Sequence, residues 1–146
     1  MRVSTRTRYG MRLMMQLAAV YDNHQVFLKD IARAENVSEK YLSQIVIPLR
    51  VSGLINSFRG AHGGYALARS PAQITLREIV VALEGNLYLL NCAKTPERCD
   101  RSSACVTRAL WNELGEMIAG WLEMKTLADL MNHAFCCAAE ENSYVI

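Results

Sequence analysis

From Tyr9 to Tyr21 the apolar residues Met11, Leu13, Met14, Leu17, Ala18 and Tyr21 recur at helical spacing, with Arg8, Arg12 and Gln16 on the opposite flank. That pattern predicts a helix with one buried face. A second, short helix follows from about residue 27, with Leu28, Ile31 and Ala32 inward, and runs into Glu35-Asn36-Val37-Ser38. Asn36 tolerates the left-handed conformation that a reversal requires, Val37 plugs the angle between helices, and Ser38 is a good N-cap for a helix starting at Glu39. On this third helix Tyr41, Leu42, Ile45 and Leu49 share one face, while Lys40, Ser43, Gln44 and Ile47 point elsewhere. Pro48 is expected to kink or end it near Val46, with Leu49 to Gly53 as a further turn capped by the glycine.

Leu54 to Arg59, then Gly60-Ala61-His62-Gly63-Gly64, then Tyr65 to Ala68 read as a β-hairpin whose glycines supply the tip. Thr75-Leu76-Arg77-Glu78 is a capping box opening a helix through Ile79, Val80 and Leu83 to Gly85. From Val106 a long helix carries Leu110, Leu114, Met117, Ile118, Trp121 and Leu122 on one stripe, and Thr126 caps a last short helix through Leu127, Leu130 and Met131. A lone helix cannot bury such a stripe, so pairing with a second copy is the expected solution, with packing back onto the first domain as the alternative. The predicted fold is mainly α with a small β-hairpin wing: a winged helix-turn-helix region over 1–70, a linker helix, cysteine loop and dimerisation helix over 71–131, and a tail over 132–146.

Composition narrows the function. The chain has 146 residues, 51% hydrophobic and 21% charged, which suits a modest folded domain with an extension. Charged residues interrupt every apolar run, so no membrane span is expected. The basic start reads as part of a retained helix rather than a targeting segment, which points to the cytoplasm. Residues 1–70 hold ten Lys/Arg against four Asp/Glu, whereas residues 71–146 hold six against ten. A cationic half joined to an acidic one fits a DNA-reading module carrying a sensing or pairing module. No nucleotide-binding loop or catalytic constellation appears, so an enzyme is not expected.

In that light the exposed residues early on the third helix acquire a role, because the first two turns of a recognition helix offer donors and acceptors to base edges in the major groove. Gln44 suits adenine, Ser43 several bases, and Lys40 guanine or a phosphate. Arg59, beside the hairpin tip, suits a narrow minor groove. Cys92, Cys99 and Cys105 are spaced C-x6-C-x5-C in a polar segment. Three thiolates on one loop can wrap an iron–sulfur cluster. Structural zinc favours closer pairs, and unligated redox-sensing thiols are the other alternative. Cys136 and Cys137 have no ligand-like spacing to the trio.

Met1-Arg2-Val3-Ser4 before a helix, Tyr41-Leu42-Ser43-Gln44, Leu49-Arg50, Gly53-Leu54, Arg59-Gly60, Gly63-Gly64-Tyr65, the three cysteines and Cys105-Val106-Thr107-Arg108-Ala109-Leu110-Trp111 together resemble the iron–sulfur cluster transcription regulators typified by IscR, over about residues 1–131. The resemblance implies a homodimeric winged-helix factor on double-stranded promoter DNA, its affinity set by a cluster on Cys92, Cys99 and Cys105. A four-iron cluster is favoured, a two-iron cluster close behind. Arg108 stands where this family's pattern places a histidine as fourth ligand, and a guanidinium that stays protonated is a poor ligand. Related nitric-oxide sensors use an aspartate where this chain has Arg8. Asp100, Glu97, His133, a tail thiol or a small exogenous molecule are then the remaining candidates. Ser43 also replaces an acidic residue of the IscR pattern. The expected DNA contacts are Arg2, Ser38, Lys40, Tyr41, Ser43, Gln44, Arg50, Arg59 and His62.

Overall fold

A computed structural model describes residues 3–21, 25–60, 63–90, 95 and 104–133. Helix α1 spans Thr5–Ala18 and begins four residues earlier than the apolar period suggests, because Ser4 caps it by accepting a hydrogen bond from the Thr7 amide at 3.0 Å. Tyr21 lies beyond its end and is exposed. Helix α2 covers Leu28–Ala34. The turn after it carries Asn36 at φ 52°, the left-handed conformation its residue type predicts. Helix α3 then spans Glu39–Val51, capped by Ser38.

Pro48 does not end α3. The helix runs on to Val51, and the Ser52 amide donates to the Pro48 carbonyl at 2.9 Å. Proline removes the bond to the Gln44 carbonyl, but Gln44 is exposed, while Ile45, Val46 and Leu49 are buried and hold the helix to the core. Packing of that face outweighs the roughly 3 kcal/mol a proline costs in an isolated helix. Gly53, at φ 69°, then turns the chain into the sheet.

Strands β1, Ile55–Phe58, and β2, Gly64–Leu67, pair antiparallel with Ile55 opposite Leu67 and Phe58 opposite Gly64. Val26 adds a single bridge to Tyr65, with two hydrogen bonds of 2.9 Å. Helix α4, Leu76–Glu84, carries the capping box, with the Thr75 side chain bonded to the Glu78 amide and the Glu78 side chain bonded back to the Thr75 amide.

Helix α5 is Val106–Glu123, and residues 127–133 form helix α6. Reciprocal Thr126–Asp129 hydrogen bonds cap α6, as the sequence suggests for Thr126. One core runs through both halves of the chain. Leu13, Met14 and Leu17 of α1 and Leu42, Ile45 and Leu49 of α3 share it with Ile79 and Leu83 of α4 and with Leu127 of α6. Backbone bonds from Leu76 to Lys125 and from Leu127 to Ile74, both 2.8 Å, stitch the α4 and α6 starts together.

Helices α1 and α4 meet closely because Gly10 faces Leu83. Ser4 and Thr7 both donate hydroxyl hydrogen bonds to the Glu84 carboxylate, 80 and 77 residues away in the chain. Those bonds hold its carboxyl below the usual value. The same α4 therefore anchors the start of α1 and leads, through Gly85, toward the cysteine segment.

Candidate functional site

Burial of Leu42, Ile45, Val46 and Leu49 fixes the rotation of α3 about its axis. Lys40, Gln44, Ile47 and Arg50 are left exposed. Ser38 is exposed, and its side chain accepts from the Tyr41 amide at 3.2 Å. Ser43 is half-buried and donates its hydroxyl to the Lys40 carbonyl at 2.7 Å. What it retains for a base is acceptor capacity, a narrower role than its residue type suggests. Tyr41 is half-buried too, edge-on against Tyr9 with ring centroids 5.9 Å apart. Its ring packs against the core that holds α3.

The same contact brings two cations near the start of α3. The Arg8 and Arg12 guanidiniums lie 4.9 and 5.8 Å from the Tyr9 ring centre. Arg12 also pairs with Glu35 at 3.1 Å, and Gln16 donates to the other Glu35 oxygen, tying α1 to the turn before α3. Arg8 is exposed. Their spacing puts them on the polar flank of α1, and the fold sets that flank beside the start of α3.

The wing is closed by Gly63 donating to the Gly60 carbonyl at 2.9 Å, with Gly60 at φ 105°. A Cβ at Gly63 would stand 2.6 Å from the Phe58 oxygen, and one at Gly64 would stand 2.7 Å from the Val26 oxygen, so both positions need glycine. Arg59 follows β1 directly and is exposed. Arg2 and His62 lie outside the described residues.

Cys105 is the N-cap residue of α5, and its sulfur lies 3.3 Å from the Thr107 hydroxyl oxygen. The Thr107 hydroxyl, then the backbone amide of Arg108 at the helix start, and the Arg108 charge hold its thiol below the ordinary value. The thiolate is the form that binds metal, and this environment favours it, which suits Cys105 to a donor role. Cys92, Cys99, Glu97, Asp100, Cys136 and Cys137 lie outside the described residues. His133 is exposed on α6. Arg8, where related sensors carry an aspartate ligand, lies over the Tyr9 ring.

No residue of α5 is buried. Of its stripe, Leu110, Met117 and Trp121 are 57%, 66% and 54% exposed, whereas Leu114, Ile118 and Leu122 are half-buried. Leu122 packs against this chain's own core, so the stripe divides between an inner and an outer edge. Met124, 72% exposed, extends the outer edge. Among the described residues no helix is long and apolar enough to cross a membrane.

Comparison with known proteins places this geometry in context. Residues 3–133 match the model of a family described as Rrf2, iron-dependent transcriptional regulators. The chain is 38% identical over 137 residues to protein rrf2 of Nitratidesulfovibrio vulgaris, covering 94% of this chain and 91% of that protein. The structure of CymR, the global cysteine regulator of B. subtilis, superposes with a TM-score of 0.75 at 36% identity, covering 91% of this chain and 98% of the other. The structure of T. potens IscR gives 0.74, also at 36% identity, covering 92% and 88%.

Proposed function

The chain belongs to the Rrf2 family of transcriptional regulators, and from that premise we propose that it is a homodimeric repressor whose promoter affinity follows an iron–sulfur cluster held by Cys92, Cys99 and Cys105. That it is a DNA-binding regulator of transcription and not an enzyme follows from the family. The observation that carries the finer reading is Cys105: a thiol with lowered proton affinity, placed as the N-cap of the helix that offers an outward apolar edge. When bound, a cluster supplies an inorganic centre whose assembly and loss respond to iron, oxygen and nitric oxide.

The chain's own residues do the rest. Cys105 ties its sulfur to the first turn of α5, so a ligand there bears on the orientation of that helix. Leu110, Met117 and Trp121 recur at heptad-like spacing along its exposed edge and would pair it with a second copy. A dimer presents two α3 helices to a two-fold symmetric operator. Lys40, Gln44, Arg50 and Arg59, with Arg2 and His62, are the proposed contacts. The cluster is four-iron or two-iron, its fourth ligand coming from a residue other than Arg108. A promoter-binding role fits a cytoplasmic protein.

The likeness to CymR favours a second reading, a cluster-free, thiol- or partner-responsive regulator of sulfur or cysteine metabolism. Anaerobic reconstitution with ferrous iron and sulfide separates the two. The cluster reading expects stoichiometric iron and sulfide, a broad visible charge-transfer absorbance, and loss of both in the alanine variants of Cys92, Cys99 and Cys105, with altered promoter affinity. Colourless protein whose DNA affinity ignores those three substitutions overturns it.

A further inference from the structure

Two exposed apolar side chains on the proposed reading face, Ile47 and Val51, have no work in the function proposed so far. Lys40, Gln44, Ile47 and Val51 follow one another at helical intervals of four, three and four residues and so lie along one face of α3. All four are exposed, and the core-packed residues Leu42, Ile45, Val46 and Leu49 lie on the other side. Ile47 is 54% exposed. A solitary surface isoleucine is unremarkable in itself. This one stands a single turn beyond Gln44, between it and the exposed cation Arg50, on the helix that enters the groove.

A major groove presents donors, acceptors and one apolar group, the 5-methyl of thymine. A branched apolar side chain among polar neighbours on a groove-facing surface has that methyl as its natural partner. Isoleucine also loses little rotamer freedom on contact. We infer that Ile47 is a specificity-determining residue that reads the 5-methyl group of a thymine in each half-site. The inference rests on the proposed placement of α3 in the major groove and adds a base preference to it. The rise from Gln44 to Ile47 is about 4.5 Å along the helix, and base pairs step by about 3.4 Å. The thymine is therefore one or two positions from the base that Gln44 contacts.

The test uses full-length protein, both anaerobically purified and metal-stripped, to select operators from a library of random DNA duplexes. Each thymine of the selected operator is then replaced by deoxyuridine, which removes the methyl and leaves every hydrogen-bonding group in place. Losing one methyl contact is expected to weaken wild-type binding about four-fold per half-site. That ratio should hold across salt concentrations, because no counterion is released. Ile47→Ala, a surface change that raises helix propensity, should bind thymine and deoxyuridine operators equally. Val51→Ala should keep the wild-type preference.

Deoxyuridine tolerance at every position by the wild type, or equal methyl sensitivity in Ile47→Ala, overturns the assignment while leaving DNA recognition by α3 intact. Methyl sensitivity that disappears in Val51→Ala and persists in Ile47→Ala moves the contact to Val51 and also overturns it. Failure of both protein forms to enrich any sequence overturns the underlying DNA-binding reading instead.

Discussion

Replacing Gly10 with alanine tests the contact that joins α1 to α4, the helix that precedes the cysteine segment in the chain. The added Cβ would stand 2.4 Å from Leu83 Cδ1, 3.2 Å from Cδ2 and 3.3 Å from Cγ. Ordinary carbon contacts lie near 3.5–4.0 Å, so Leu83 or α1 must move by about 1 Å. Leu83 is 4% exposed and held by the core, which restricts its escape. Overpacking of this kind costs about 1–3 kcal/mol, and the better helix propensity of alanine returns about 1 kcal/mol. The net expectation is a loss of roughly 1 kcal/mol, or about 3 °C in Tm.

Leu83→Ala supplies the decisive background. Alone it costs about 2–5 kcal/mol, but it removes the obstructing atoms, so Gly10→Ala should then stabilise by its propensity. The sign of one substitution reverses between two backgrounds, a coupling of about 1–3 kcal/mol. Urea unfolding followed by far-UV circular dichroism at fixed protein concentration measures all four corners of the cycle. Gly10→Ala raising stability in the wild type, or having the same effect in both backgrounds, would refute the close α1–α4 packing.

Arg59→Ala should weaken operator binding and make log K against log salt shallower by about one per wing engaged, as the loss of a cationic contact that releases counterions requires; an unchanged slope by fluorescence anisotropy removes Arg59 from the interface. Trp121→Asp places a charge on the outer edge of α5 and should convert the proposed dimer to monomer in sedimentation velocity, with helicity retained; a surviving dimer puts the interface elsewhere. Glu84→Gln keeps the shape and removes the titration. Because the folded-state pKa of Glu84 is depressed below its usual 4.5, its contribution is present above that value and lost as pH falls through the depressed one. Wild type should therefore exceed Glu84→Gln in Tm near neutral pH, by at most about 3 °C after allowance for exposure, and the gap should close in acid. A gap that widens as pH falls has the wrong sign.

Features whose causes lie within a few residues were legible from the chain alone. The Ser38 cap, the Thr75–Glu78 capping box, the left-handed Asn36 and the glycine-closed wing each depend on neighbours one to four positions away. Local pattern determines them. Helical periodicity likewise exposed the buried faces of α1 and α3, because a face needs only its own spacing to be recognised.

Tertiary structure decided what depends on distant partners. Pro48 is tolerated because Ile45, Val46 and Leu49 are held by the core, a force absent from propensity. Tyr41 turns to Tyr9 rather than outward, and Leu122 and Leu127 pack into the core that α1, α3 and α4 share. Ser4 and Thr7 find Glu84 across some eighty residues, and Gly10 finds Leu83 across seventy-three. Spacing along a chain encodes which side of a helix is apolar. Which other helix meets that side, and which polar groups then close on one another, is selected only when burial brings remote segments into contact.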